Sequence, residues 1–262
     1  MLGQSYPLGS STIYPYWVCF DLAFILGGLY LVLALRPYGV RAWKIIVLLC
    51  VVFATGLAGA RLFSLLESHT PLNRFWSPRE GLTFYGGLLT SLLIIPPFAA
   101  VAKIPLARLL DKGALSIAFG YGIGRVGCFL TGDGCYGVPS SLPWAMTFPH
   151  GDPPVYVPVH PAPLYETALS FIVFATCFWY FKHRGSDARP GVCFLVVMGL
   201  LALSRFVVET VRLNPRYYGL SQAQWISVGI VFCAIMACAS LSRIFGNGSS
   251  REFQRRSAVA RN

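Results

Sequence analysis

The sequence is poor in charge. Asp, Glu, Lys and Arg make up only 12% of its 262 residues, against roughly 25% in soluble domains. With 55% hydrophobic residues and a mean hydropathy of +0.61, that scarcity excludes an ordinary soluble globule. Acid is scarcer still, with 10 Asp and Glu against 21 Lys and Arg. The chain lacks the alternating polar pattern of a membrane barrel. It also lacks the internal repeat that marks inverted-repeat transporters. Its first residues, "MLGQSYPLGSSTIYPYW", carry neither the basic n-region nor the small-residue cleavage site of a secretory signal peptide. The first apolar run is therefore expected to stay as an uncleaved span.

In place of charge there are long apolar runs. A spanning helix needs roughly 20 mostly apolar residues. Seven segments qualify, at about 17–35, 43–66, 82–101, 113–131, 164–181, 191–211 and 222–242. The expectation is an all-α integral membrane protein of about seven transmembrane helices. Residues 1–245 form a single polytopic membrane domain that includes an outer loop at 132–163, and residues 246–262 form a basic, disordered cytoplasmic tail. The net charge of +11 is not read as a nucleic-acid surface, because of where the charge lies. With the N-terminus outside, 14 Lys and Arg fall in inner loops and the tail and only 4 in outer loops. That is the positive-inside bias of a membrane protein. It sets the N-terminus outside and the C-terminus in the cytoplasm, and no nucleic acid is expected as a partner.

Of the eight cysteines, most stand singly in apolar helices and read as small hydrophobes. Cys128 and Cys135 differ. They fall at the expected outer end of the fourth helix, where oxidation is permitted and a disulfide is open to them. Their C-x6-C spacing matches no common zinc signature, and no metal is expected.

Charge inside a span costs roughly 2.5–3.5 kcal/mol on insertion scales, so such residues are functional candidates. Arg61, Arg125 and Arg205 lie within or at the ends of spans. Glu209 follows Arg205 by four residues and Arg212 follows Glu209 by three, so "RFVVETVR" presents a polar stripe on the sixth helix. A structural ion pair between Arg205 and Glu209 is one reading. Counted that way, only Asp21 and Asp133 remain to answer Arg61 and Arg125. The excess of cation then implies an anion from outside, and in a membrane that is most naturally a lipid phosphate, which arginine grips through a bidentate fork. Arg61, Arg125, Arg205 and Glu209 are expected to converge on one internal cavity open to lipid.

The segment "GRVGCFLTGDGCYG" surrounds Arg125 with glycine. Gly122, Gly124 and Gly127 spell G-x-G-x-x-G, but a dinucleotide site needs a preceding strand and the preceding residues are a membrane helix. Close helix approach is the better reading of these glycines and Gly120. Gly132, Gly134 and Gly137 read as turn formers. Further polar islands are "GLTFYGGLL", with Tyr85, Gly86 and Gly87, and "VHPAPLYE", with His160, Tyr165 and Glu166. His160 also fits an ordinary helix start. The loop at 132–163 has no Lys or Arg, and in "SSLPWAMTFPHGDPPVYVP" Trp144 and Phe148 are expected to dip into the outer leaflet.

Taken in order, these motifs resemble the prolipoprotein diacylglyceryl transferase family from about Tyr14 to Ser242. "GARLFSLLE", "GLTFYGGLL", "GRVGCFLTGDGCYG", "HPAPLYE", "SRFVVETVR" and "LSQAQWIS" carry the resemblance. It implies a bacterial cytoplasmic (inner) membrane enzyme. The enzyme would move the sn-1,2-diacylglyceryl group of phosphatidylglycerol to the lipobox cysteine of a preprolipoprotein and release glycerol 1-phosphate, with no metal or soluble cofactor. By resemblance, Arg125 and Arg205 hold the phosphate and Glu209 orients Arg205. Asp133 stands near the family's signature acid, and Tyr16 matches an important first-helix tyrosine. Arg61, Gly86, Gly87, Cys128, Gly137 and His160 complete the expected substrate contacts.

The chain departs from that pattern at three places. Tyr85 stands where the family has His, Cys128 where it has Asn, and one extra residue separates Asp133 from Gly137. A histidine base suits neutral pH, whereas tyrosine with a pKa near 10 suits a hydrogen-bonding role. These departures leave open a lipid-modifying transferase with another acceptor, and a non-catalytic phospholipid-binding or transport protein.

Overall fold

The computed structural model describes residues 6–8, 11–68, 71, 75, 84–184 and 189–259. Its long elements are seven helices: α1 (Pro15–Leu35), α2 (Ala42–Glu67), α3 (Phe84–Val101), α4 (Leu106–Thr131), α5 (Ala162–Arg184), α6 (Val192–Glu209) and α7 (Gln222–Val259). Among the described residues, six are long and apolar enough to cross a membrane, and the shorter apolar stretch Gly86–Val101 is a seventh. Among the described residues, sheet is confined to three two-stranded antiparallel hairpins. The protein is an all-α, multi-pass membrane protein. The helices overrun the apolar segments where charged helix formers flank them: α4 begins at Leu106 and takes in Arg108, Asp111 and Lys112. The polar tail, expected to lack order, continues α7 as helix to Val259.

The chain divides into two compact units, residues 26–113 and residues 1–25 with 114–262. In the first, α2 and α3 meet through glycine. A Cβ on Gly86 would collide with the Gly59 carbonyl and come within 2.6 Å of the Phe63 Cβ, and one on Gly87 would sit 3.1 Å from the Gly56 carbonyl. Small residues let backbones approach in lipid, where dispersion replaces the hydrophobic drive between helices. Leu35, Ile45 and Ala99 are fully buried in the adjoining core, and Lys44 Nζ donates to the Ala102 carbonyl at 2.5 Å.

In the second unit, α4 and α5 run against each other in steps. Ser170 Oγ donates to the Ala118 carbonyl at 2.6 Å and Thr167 Oγ1 to the Gly122 carbonyl at 3.2 Å. The next step in that register sets Arg125 beside Glu166. Gly122 admits the Phe171 ring and Gly127 admits Cys19 of α1, whereas a Cβ on Gly124 would meet open space. The close-approach reading therefore holds for Gly120, Gly122 and Gly127 and not for Gly124. α7 opens on a capping box in which Gln224 N–H donates to Ser221 Oγ at 3.2 Å and Ser221 N–H to Gln224 Oε1 at 3.0 Å.

The first hairpin, β1 (Tyr6–Leu8)–β2 (Ser11–Ile13), precedes α1; β3 (Met146–Phe148)–β4 (Val155–Val159) joins α4 to α5, and β5 (Arg216–Tyr217)–β6 (Leu220–Ser221) joins α6 to α7. The second folds the loop expected to lie on lipid. Phe148 does not dip into a leaflet; it is fully buried, 4.2 Å ring to ring from Tyr136. Trp144 is exposed and donates to the Tyr165 hydroxyl at 2.8 Å.

Gly86→Ala should destabilise the protein by about 1–3 kcal/mol through overpacking. Gly229→Ala, whose Cβ meets nothing within 4 Å, should be neutral or stabilising by up to about 1 kcal/mol. Thermal unfolding in micelles compares the two; equal midpoints would show that the glycine seam of α2 and α3 is slack.

Candidate functional site

The site is built on a carboxylate at a helix start. Pro161 and Pro163 begin α5, where proline's fixed φ and missing N–H suit the first turn. Glu166 follows, close to the positive end of the helix dipole, with only 2% of its side chain exposed. Its Oε2 lies 2.7 Å from Arg125 Nε, and its Oε1 accepts a hydrogen bond from Arg205 Nη1.

Arg205 reaches on to a second carboxylate. Its Nη2 lies 2.8 Å from Oε2 of Glu209, one helical turn along α6. Glu209 is the last residue of α6 and is fully buried at its side chain. That helix end disfavours negative charge. Arg205 offsets this on one oxygen and Asn214 Nδ2 donates to the other. The expected stripe of Arg205, Glu209 and Arg212 on one helix is corrected: the helix stops at Glu209, and Arg212 lies in the chain beyond it.

Arg212 is held by the loop after α4. Gly137 pairs with it as an isolated β-bridge, and Val138 N–H donates to the Val211 carbonyl at 2.7 Å. Its guanidinium comes 3.8 Å from Glu166 and 3.7 Å from Glu209, too far for hydrogen bonds. Its Nε and Nη1 are buried with no hydrogen-bond partner among the described residues. Three guanidinium groups thus surround two carboxylates, an excess of one positive charge.

Arg125 also faces the glycine-rich loop. Its guanidinium lies over the Tyr121 ring at 4.9 Å, and its Nη1 is 3.9 Å from Cys128 Sγ and 3.8 Å from Cys135 Sγ. Gly132 and Gly134 take positive φ, +68° and +76°, conformations that only glycine adopts freely. They turn Asp133 toward the two sulfurs. The ligand atoms of Cys128, Asp133 and Cys135 all lie within 4.8 Å of one another, and both cysteines are free thiols. The hydrogen bond from the Cys128 thiol pulls the Cys135 thiol down to about 7, against the opposing effect of burial.

Of the residues expected from the sequence, Arg125, Arg205 and Glu209 meet in one cluster. Cys128 and Asp133 adjoin it, and the Tyr16 hydroxyl is within electrostatic reach of Arg125, Cys128 and Asp133. Gly137 serves packing: a Cβ there would stand 2.5 Å from the Val211 carbonyl and 2.6 Å from the His160 Cβ. His160 is occupied by the Tyr165 hydroxyl, 3.1 Å from its Nδ1. Arg61, Tyr85, Gly86 and Gly87 belong to the other unit. There Arg61 Nε donates to the Phe75 carbonyl at 2.8 Å, and the Tyr85 side chain lies outside the described residues. Glu166 is the residue that sequence reasoning missed as a site residue. Counting acids found Asp21 and Asp133 for the unpaired arginines and passed over the one in "HPAPLYE". The signal was available, since a glutamate in the first turns of an apolar helix needs a cation as much as a buried arginine needs an anion. Tyr121 also went unnoticed, because one tyrosine among many in an apolar helix carries no signal.

Comparison with known proteins gives this arrangement a family. The family model described as "Prolipoprotein diacylglyceryl transferase" matches residues 5–240, and the chain belongs to that family. It is similar to the phosphatidylglycerol–prolipoprotein diacylglyceryl transferase of Nitratidesulfovibrio vulgaris, at 36% identity over 154 residues, covering 58% of this chain and 56% of that protein. The protein of the same name from Pseudomonas paraeruginosa is 32% identical over 197 residues, 74% of this chain and 71% of that one. That of Leptospira interrogans is 36% identical over 144 residues, 54% of this chain and 44% of that one. The chain thus spans roughly half to seven-tenths of these relatives' length.

Glu166→Gln keeps the shape and removes the charge shared by Arg125 and Arg205. Breaking a buried ion-pair network costs about 3–5 kcal/mol, so thermal unfolding in micelles should show a midpoint several degrees lower. An unchanged midpoint would mean that Glu166 does not hold the cluster together.

Proposed function

We propose that this member of the prolipoprotein diacylglyceryl transferase family transfers the sn-1,2-diacylglyceryl group of phosphatidylglycerol to the lipobox cysteine of preprolipoproteins and releases glycerol 1-phosphate. The observation that carries the reading is the cluster of Arg125, Arg205 and Arg212, with one positive charge in excess and two orphaned donors on Arg212. A phosphodiester carries one negative charge. It neutralises that excess and supplies hydrogen-bond acceptors in addition to the two carboxylates.

The chemistry follows from the charges. The acceptor sulfur attacks the glyceryl carbon next to the phosphate, a C–S bond forms, and the C–O bond breaks with its electrons on the phosphate oxygen. The thiol proton is released and matched by the proton taken up on the phosphate. Negative charge grows on the departing phosphate, and guanidinium groups already fixed in place stabilise it without reorganising. Glu166 and Glu209 act as positioning residues that hold the guanidinium planes toward the lipid headgroup. By resemblance to the family, Arg61, Tyr16 and Tyr85 are substrate-binding residues, with Tyr85 a hydrogen-bond donor and not a base. The enzyme lies in the bacterial inner membrane with its N-terminus outside, a topology that reporter fusions at the two termini test.

Diacylglyceryl transfer to a lipobox peptide from phosphatidylglycerol vesicles tests the assignment. Arg212→Gln should slow transfer about 10- to 100-fold, the scale of hydrogen bonds to a charged group. Arg125→Lys should be at least as damaging, because lysine keeps the charge and loses the bidentate fork. Tyr85→Phe should cost no more than about 100-fold, on the same hydrogen-bond scale. Full activity in both arginine variants would remove the phosphate-binding role, and complete loss in the Phe variant would make Tyr85 the base.

A further inference from the structure

The glycine-rich loop holds a second constellation that phosphate binding does not use. We propose that Cys128, Asp133 and Cys135 bind a thiophilic divalent cation, zinc in the first instance, whose open fourth position takes the acceptor thiolate. The identity of that fourth ligand rests on the transferase reading; the metal site itself does not.

Geometry comes first. Two sulfurs and a carboxylate oxygen lie within 4.8 Å of one another. Around a tetrahedral zinc, with Zn–S about 2.3 Å and Zn–O about 2.0–2.2 Å, such donors stand about 3.4–3.8 Å apart. Small side-chain rotations close the difference. The cysteine spacing alone resembles no zinc signature, because the third ligand comes from the turn between them.

The frame that carries these donors is fixed before any ion arrives. Cys128 sits in the last turn of α4, and Gly132 N–H donates to its carbonyl at 2.9 Å. The Gly132 carbonyl in turn accepts from the Tyr136 hydroxyl at 2.5 Å and from Asp152 N–H at 2.7 Å. Asp133 Oδ1 accepts from Cys135 N–H at 3.3 Å. Gly137, two residues on, is tied to the His160 carbonyl at 2.9 Å.

Two thiolates and a carboxylate around a dication leave one negative charge, which would lie beside Arg125, whose Nη1 is within 3.9 Å of both sulfurs. N–H donors to ligating sulfurs are the outer-shell contacts that orient and tune metal ligands. Three protein ligands with an open position is the arrangement of catalytic rather than structural zinc.

Such an ion supplies what a neutral tyrosine does not. A thiol that coordinates zinc loses its proton outright. In the proposed step the acceptor thiol binds the ion and releases its proton to solvent. Its sulfur pair then forms the C–S bond while the C–O bond electrons leave with the phosphate. The released glycerol 1-phosphate takes up a proton, so charge and protons balance. Arg125 touches both the sulfurs and Glu166, so nucleophile and phosphate are aligned through one guanidinium.

Cobalt(II) titration of the reduced, chelator-treated full chain in micelles tests the site. The expected result is a thiolate-to-cobalt charge-transfer band saturating at one equivalent and bleached by zinc. Cys128→Ser and Cys135→Ser, each checked for a wild-type unfolding midpoint, should weaken binding roughly 100-fold or more. Adding a lipobox peptide should raise the band by about half, as a third thiolate joins two; a peptide with serine for cysteine should not. Absence of the band overturns the site, as does recovery of two hidden thiols only after reduction, which would identify a disulfide pair instead. A band indifferent to the peptide overturns the fourth-ligand role. Mass spectrometry of the peptide after incubation with phosphatidylglycerol separates the two readings. A thioether formed by metal-free protein leaves the transferase reading standing and removes the metal, whereas a cobalt-bound peptide that never gains diacylglycerol does the reverse.

Discussion

One buried carboxylate governs the arrangement of this protein's polar residues. In an apolar surrounding an isolated charge is expensive, and a shared one is tolerable only when its partners are held in good geometry. Glu166 meets that condition by taking Arg125 from α4 and Arg205 from α6. Three helices are thereby fixed in register at one level. Glu209 and Arg212 extend the chain of alternating charges to the end of α6. The glycines that let Gly122 receive Phe171 and Gly127 receive Cys19 bring the helices near enough for these contacts to form.

Under the proposed function, that alternation also suits the cluster to a lipid phosphate. A site of arginines alone would repel itself and would bind any anion. Carboxylates between the guanidinium groups hold their planes and reduce the excess to a single charge, the match for the monoanionic headgroup of the proposed substrate. In the proposed reaction the second charge would develop on the phosphate beside arginines that are already oriented. The carboxylates therefore spend stability on orientation, a use of buried ion pairs in which geometry matters more than net binding.

Much of this was legible in the sequence, for physical reasons. Spans are readable because lipid demands long apolar helices with internally satisfied backbones. Arg125, Arg205 and Glu209 are readable because charge in a span is rarely idle. What stayed hidden depends on contacts between helices or on turns. The i, i+4 rule finds Glu209 beside Arg205, but no spacing rule finds Glu166, whose partners are 41 residues before it and 39 after it. Phe148 reads as an interfacial aromatic because nothing local announces the hairpin that buries it. The nearness of Asp133 to two sulfurs depends on two left-handed glycines, and glycine in a sequence signals freedom without saying how it is used.

The turn that leaves α4, from Cys128 to Gly137, is anchored at both ends, by Cys128 in the helix and by the bridge of Gly137 to Arg212. The β3–β4 hairpin lies outside those anchors and is tied back to the turn, through Asp152 N–H on the Gly132 carbonyl and the Phe148 ring on Tyr136. A change of length inside the turn must therefore be absorbed locally. The turn curls through Gly132 and Gly134, both at positive φ, which sets the Cys135 sulfur beside Cys128. Two left-handed glycines thus decide which side chains stand beside Arg125, while the hydrogen bonds at either end hold the surrounding helices in register.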